Sequence, residues 1–250
     1  MTKIYGHRGA KGSYPENTLL SFKKAIDQGV EGIELDVHLT LDGEVVVIHD
    51  ETLDRTTNGT GWIKDHTLSE IKQVSAGSRF VLLPDYEEAW DSETVPTLQE
   101  VLELMAPYPT ELNIELKTYA VVYEGIEEKV HSIVKKYGNN RKVVYSSFHL
   151  PSLMRMKKVA PDANIAWLVN NKISFPIDHM NMLDLEALHV HKKMVLPPPE
   201  EYQIGARELY DKIRVWTVND PAEIGQLLDV QVQAIITDFP ERAIAIRNKR

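Results

Sequence analysis

Gly32-Ile33-Glu34-Leu35-Asp36-Val37 alternates apolar and acidic residues with a period of two, the pattern of a β-strand whose successive side chains face opposite ways. Ile33, Leu35 and Val37 share one face, and Glu34 and Asp36 share the other. In a closed barrel the acidic face is the interior. Eight further β-branched or apolar runs have strand length, at 4–5, 44–48, 112–116, 142–145, 164–169, 187–190, 214–218 and 234–236. Helix-period stretches lie between most of them, at 18–28, 97–105, 123–137, 199–210 and 221–228. This alternation over the full length, without a Gly/Ser linker, predicts one parallel α/β domain. At 250 residues the chain suits an eight-stranded (β/α)8 TIM barrel spanning 1–250. Nine candidates overfill eight places, so one is expected to be accessory, and 187–190 is the weakest because it is short and followed by polar residues. Residues 50–95 carry turn chemistry at Asn58-Gly59 and Thr60-Gly61, a short helical pattern near 68–74 and no barrel strand. They read as a small inserted cap segment on the C-terminal rim, where this fold keeps its active sites.

Composition narrows the function classes. With 43% hydrophobic residues, 26% charged residues and no Cys, disorder and a disulfide scaffold are excluded. The 28 Lys and Arg against 37 Asp and Glu leave a net charge of −9, which repels a phosphate backbone, so no nucleic acid partner is expected. The longest apolar stretches, such as 45–48, fall far short of the roughly 20 residues that span a bilayer, so no stable membrane insertion is expected. Met1 to Tyr5 runs straight into Gly6-His7-Arg8-Gly9 with no room for a leader, and the lack of Cys suits a reducing compartment. The expectation is a soluble, cytoplasmic chain, or an exported one already cleaved.

Glu34 and Asp36 would repel one another inside a barrel unless a cation stood between them. The same alternation recurs in Asn113-Ile114-Glu115-Leu116-Lys117, which adds a third carboxylate and a lysine. Hard oxygen donors without thiolates favour one divalent ion, Mg²⁺ or Ca²⁺. The bland reading of these groups is a structural salt-bridge layer. His7 and His49 each stand at a strand end beside the carboxylates, and two imidazoles can divide acid and base work near neutrality. Arg8 adds a fork suited to phosphate oxygens, and Gly9 permits close backbone approach. Three carboxylates, one divalent cation, Arg8 and Lys117 leave a single positive charge, which a phosphodiester would cancel. His189-Val190-His191 imitates a metal-binding pair but has no carboxylate nearby in sequence and reads as structural. Trp216 and Phe148, at late strand ends, suit an apolar wall for substrate carbons or the core alike.

The ordered set His7-Arg8-Gly9, Pro15-Glu16-Asn17-Thr18, Glu34-Leu35-Asp36-Val37, His49-Asp50, Arg55-Thr56-Thr57, Pro96-Thr97-Leu98, Glu115 with Lys117, Trp216-Thr217-Val218-Asn219 and Thr237-Asp238 spans nearly the whole chain. It resembles the glycerophosphodiester phosphodiesterases, most closely the short bacterial cytoplasmic type; residues 169–195 show no family signature. The resemblance implies a distorted barrel with an inserted cap, and hydrolysis of a small-molecule glycerophosphodiester to glycerol 3-phosphate and an alcohol by a monomer or homodimer. It implies Glu34, Asp36 and Glu115 as metal ligands, His7 and His49 as the acid/base pair, and Arg8 and Lys117 as phosphate-binding residues. Trp216 and Phe148 would line the glycerol side. Glu16 and Asn17 would support the site, Asn17 also being a plausible helix cap. The route expected is attack of the glycerol 2-hydroxyl on phosphorus, with His7 as base and His49 as acid. Alternatives are a phospholipase D-like or phosphoinositide-cleaving barrel, or a noncatalytic phosphodiester-binding one.

Overall fold

The computed structural model describes residues 1–196 and 206–250. Its strands are β1 (Lys3–His7), β2 (Gly32–Leu39), β3 (Val45–Val47), β4 (Glu111–Leu116), β5 (Val143–Ser147), β6 (Asn164–Val169), β7 (Ala187–His191), β8 (Ile213–Trp216) and β9 (Ala234–Thr237). All but β3 run parallel, and they pair in the order β1-β2-β4-β5-β6-β7-β8-β9, with β9 returning to β1 to close the barrel. The principal helices are α1 (Leu19–Asp27), α2 (Leu68–Ile71), α3 (Leu98–Met105), α4 (Ile126–Tyr137), α5 (Leu150–Val159), α6 (Pro176–Leu183), α7 (Ala206–Tyr210), α8 (Pro221–Asp229) and α9 (Pro240–Asn248). No described helix is long and apolar enough to cross a membrane.

The accessory strand is β3, and 187–190 is a full barrel member as β7, paired on both sides by β6 and β8. The reason is chain length. Residues 40–44 between β2 and β3 cannot hold the crossover of a dozen or more residues that a parallel neighbour needs. They form instead a turn in which Gly43 N–H donates to the Thr40 carbonyl at 2.9 Å and Gly43 takes φ +79°, so β3 folds back antiparallel. The short β7 is sufficient because it is paired along its length by β6 on one side and β8 on the other.

Helix starts follow their caps. Thr97 and Glu100 form a reciprocal capping box at α3, and Asp220 caps α8 ahead of Pro221. The helix pattern at 199–210 survives as α7 from Ala206; its beginning lies outside the described residues. Helices α5, α6 and α9 stand where periodicity predicted none. The outward face of the strands, including Ile33, Leu35, Ile114, Val215 and Ile235, packs under the helices in the main core. Inside the barrel, the lower end is plugged by Tyr5, Glu111 and Arg214: the Tyr5 hydroxyl donates to Glu111, and the Arg214 guanidinium lies 5.3 Å from the Tyr5 ring centre. Val144, Ala166 and Ala187 form a small-residue layer within it. The polar inward residues of β2 and β4 are left facing the upper end. Residues Leu53, Ile63, Ile71, Ala76 and Val95 gather with Val46 and Ile48 of the β3 segment into a separate apolar cluster, so the stretch after β3 packs around its own core.

Candidate active site

Glu34 and Asp36 project from β2, and Glu115 from the end of β4, where the register sets Asp36 opposite Glu115. All three side chains are buried, and one oxygen from each lies within 4.8 Å of the others. Burial, with Asp36 and Glu115 alongside, pushes the Glu34 carboxyl well above the usual carboxylate range. Burial also raises Glu115, because the relief from Lys117 is offset by Asp36. At Asp36 burial is outweighed by Arg8 and Lys117, which hold it well below that range. Asp36 Oδ1 is buried without a hydrogen-bond partner, although Lys117 Nζ stands 3.7 Å away. A buried anionic oxygen with no donor, among carboxyls that cannot all ionise unaided, is the donor set a hard divalent cation fits.

Two cations flank this cluster. Lys117 Nζ lies 3.1 Å from Glu115 Oε1 and 3.3 Å from His49 Nε2. Arg8 donates from its backbone N–H to Glu34 Oε2 at 3.0 Å, and its guanidinium donates to Glu16 Oε1 at 2.7 Å while Nε stands 3.4 Å from Asp36 Oδ2. Glu16 is also gripped through both oxygens by Arg55, at 2.7 and 2.9 Å. Arg8 takes φ +52°, a backbone state that side chains with a Cβ rarely adopt and that persists only where surroundings enforce it. Here the Arg8 carbonyl accepts from Asn17 N–H and the Ser21 hydroxyl, each at 3.1 Å. Gly9 must be glycine: at φ +84° a Cβ would fall 2.4 Å from Ser21 Oγ.

Asn17 is not the helix cap. Thr18 caps α1, accepting from Ser21 N–H, while Asn17 sits at φ +56° and donates from Nδ2 to Asp36 Oδ2 at 3.0 Å. Asn17 thus spends its Nδ2 donor on a charged acceptor, a strong bond, and leaves the accepting role at the helix start to the Thr18 hydroxyl.

Both histidines are oriented in the same manner. His7 Nδ1 lies 2.6 Å from Asp238 Oδ1, and His49 Nδ1 lies 2.6 Å from Asp50 Oδ1. An ionised carboxylate can only accept, so each Nδ1 carries a proton and each Nε2 is the nitrogen left free to exchange a proton with a substrate. Asp238 is in turn set by Asn219, whose Nδ2 donates to Asp238 Oδ2 at 2.7 Å. Burial raises the Asp238 carboxyl, but the bond and charge of His7, with Lys11, bring it down to about 2. Burial holds His7 below the ordinary imidazole value despite the Asp238 bond. Asp50 is held well below the usual carboxylate range, first by the His49 bond and then by Arg55, which donates to both its oxygens.

His7, Arg8, Glu34, His49 and Glu115 line one pocket of about 100 Å³, whose apolar wall is Phe148, Leu168, Trp216 and Ile236. Phe148 and Trp216 meet edge to face at 5.6 Å between ring centres. Lys117 lines the adjoining open groove, which shares Glu115, Phe148 and Leu168 with the pocket. The structure thus brings together all eleven residues singled out from sequence, Glu16 and Asn17 through their contacts to Arg8 and Asp36. Sequence reasoning assigned no role to Asp50, Arg55, Asn219, Asp238 or Asn113 and read His189 as structural, yet Asn113 and His189 also line the pocket. For Asp50 its adjacency to His49 was a usable signal. For Asp238, 231 residues from its partner, the signal was its place in the motif Thr237-Asp238, which did not say what it touches.

The sequence profile described as "Glycerophosphoryl diester phosphodiesterase family" matches residues 7–242. A glycerophosphodiester phosphodiesterase of Caldanaerobacter subterraneus subsp. tengcongensis is 40% identical over 248 residues, covering 99% of this chain and 98% of its own. One of Bacillus altitudinis is 40% identical over 257 residues, covering 100% and 99%. Among solved structures, an Oleispira antarctica phosphodiesterase in complex with the product sn-glycerol-3-phosphate superposes with a TM-score of 0.85 at 30% identity, covering 99% of this chain and 97% of that one. A glycerophosphodiester phosphodiesterase of Agrobacterium tumefaciens gives 0.82 at 31%, covering 98% and 100%. With a matched profile that extends from the first candidate histidine to α9, this chain belongs to the glycerophosphoryl diester phosphodiesterase family.

Proposed function

We propose that the protein hydrolyses glycerophosphodiesters to sn-glycerol 3-phosphate and an alcohol, in a divalent-metal-dependent reaction in which the substrate's own 2-hydroxyl attacks phosphorus. The observation that carries this reading is the pair of carboxylate-oriented histidines, His7–Asp238 and His49–Asp50, bordering one small pocket with a three-carboxylate cluster and two cations. Direct attack by a hydroxide already formed on a metal ion would need only one of the two histidines, as the acid.

When bound, a divalent cation on Glu34, Asp36 and Glu115 supplies Lewis acidity for a phosphate oxygen and the attacking hydroxyl, and the donor set suits Mg²⁺ and Ca²⁺ equally. Arg8 and Lys117 hold the phosphate oxygens and offset the charge that grows on them. His7 is neutral at working pH because of its burial, and Asp238 keeps its proton on Nδ1, so Nε2 accepts the proton of the 2-hydroxyl as phosphorus is attacked. His49 enters this step with a proton on Nε2 and gives it to the departing alkoxide, while Asp50 holds the proton on Nδ1 and so keeps the ring aimed. Water then opens the cyclic phosphate as the two histidines reverse roles. The alcohol leaves by the open groove beside Phe148 and Leu168. Residues 50–95 act as an inserted cap, and Arg55, through Glu16 and Asp50, ties it to the site.

The test is product analysis with glycerophosphocholine and Mg²⁺ or Ca²⁺ supplied. sn-Glycerol 3-phosphate and choline are expected. Absence of turnover across a panel of glycerophosphodiesters overturns the reading.

A further inference from the structure

Three polar atoms of the pocket are left over by the chemistry described above. His189 is fully buried on β7, lines the pocket, and has no hydrogen-bond partner at either ring nitrogen among the described residues. Asn113 on β4 is 1% exposed and lines the same pocket; its Nδ2 donates to Ser146 Oγ at 3.1 Å, and its Oδ1 has no partner among the described residues. Buried polar groups without partners cost free energy, and a native protein retains them where something else completes them. We propose that His189 and Asn113 form a subsite for the terminal, non-reacting hydroxyl of the substrate's glycerol unit, and thereby make the enzyme select glycerol over other diol phosphates. This rests on the glycerophosphodiesterase reading of the site.

The chemistry of the left-over atoms restricts the ligand. Burial, reinforced by the neighbouring Arg214, holds the His189 ring well below the ordinary imidazole value, so it offers one N–H donor and one lone pair. Asn113 Oδ1 offers only acceptance. A hydroxyl matches both, donating to the amide oxygen or ring nitrogen and accepting from the ring N–H. An ammonium group would face Arg214, buried at 2% exposure on the adjacent strand. A carboxylate would leave Asn113 Oδ1 unanswered. The phosphate belongs with Arg8, Lys117 and the carboxylate cluster, and Phe148, Leu168, Trp216 and Ile236 line the same pocket as a wall for carbon. The pocket, about 100 Å³, is the smaller of the two adjoining spaces and suits a short carbon unit. Variable alcohols have the groove of about 520 Å³ alongside.

The probe is 2-hydroxypropyl phosphocholine, which keeps the phosphodiester and the attacking 2-hydroxyl and lacks only the terminal one. The native enzyme is expected to show kcat/KM about 100-fold or more below that for glycerophosphocholine, since sites built around a substrate hydroxyl reject the analogue lacking it. His189→Leu should compress the ratio to within about fivefold by slowing the parent substrate. His189→Gln, which keeps a donor and an acceptor, should retain a ratio above about tenfold. A native enzyme that cleaves both substrates within fivefold overturns the proposal, as does a folded His189→Leu variant, melting with the native protein, that retains the full ratio. If neither substrate is turned over, the activity reading fails by itself. Calorimetric binding of sn-glycerol 3-phosphate against its deoxy analogue then decides the subsite: tenfold or more tighter binding of the glycerol compound supports it, and equal or absent binding overturns it.

Discussion

Replacing Asp238 by asparagine should disable His7 by turning its proton around. The amide of Asn219 is fixed, because its Oδ1 accepts from Asp238 N–H at 3.0 Å and from the Thr237 hydroxyl at 3.1 Å, leaving Nδ2 to donate to Asp238 Oδ2. An asparagine at 238 must therefore place its oxygen toward Asn219 and its own NH₂ toward His7, since the opposite flip sets two donors face to face. His7 Nδ1 then has to accept, its proton moves to Nε2, and the lone pair that should take the 2-hydroxyl proton is gone. Losing a general base costs about 10²–10⁴ in kcat, or about 3–5 kcal/mol of barrier. The effect on stability is smaller. Bringing Asp238 from 3.8 to about 2 corresponds to about 2 kcal/mol, and with His7 neutral only the hydrogen-bond part of that is present, about 1 kcal/mol. The assay is kcat with glycerophosphocholine alongside a thermal melt. Asn219→Asp added to Asp238→Asn turns the clash around and should recover tenfold or more of the lost kcat. A single variant with kcat within tenfold of the native protein, or a double variant no better than the single one, would refute the tautomer argument.

Chelation should abolish turnover and leave the fold intact by circular dichroism, with activity restored by Mg²⁺ or Ca²⁺; full activity after chelation removes the role assigned to Glu34, Asp36 and Glu115. A substrate analogue with hydrogen in place of the 2-hydroxyl should bind as a competitive inhibitor and resist cleavage, whereas hydrolysis within about tenfold of the parent, a difference of about 1.4 kcal/mol, points to direct attack by water. Arg55→Met should raise the pH midpoint of acid unfolding. Burial raises Glu16, but the bonds from Arg55 and Arg8 bring it below the ordinary value. Its stabilisation is therefore fully present above the unfolded value near ~4.3 and is lost as pH falls through the lower folded value, and removing Arg55 raises that folded value. An unchanged acid midpoint would show that the Arg55 bridge contributes nothing to folding.

The sequence by itself determined the faces. A period of two in 32–37 and again in 113–117 places Glu34, Asp36, Glu115 and Lys117 on one side and the aliphatic residues on the other, because side-chain direction along a strand is a local property of the backbone. Likewise Thr97 with Glu100 marks a helix start, since a capping box closes within one turn. Which strands are barrel staves was only partly legible. The run at 44–48 has better strand chemistry than 187–190, yet the five-residue turn before it forbids a parallel crossover, and the weak run is completed by neighbours on both sides. Asn17 shows the same override: locally it suits a cap, but Thr18 takes that position and Asn17 donates instead to Asp36, 19 residues on. Closure of the barrel, with β9 pairing to β1, is what carries Asp238 to His7 and turns His189 and Asn113 into one pocket. Those meetings depend on register and closure summed over the whole sheet, and no window of sequence contains them.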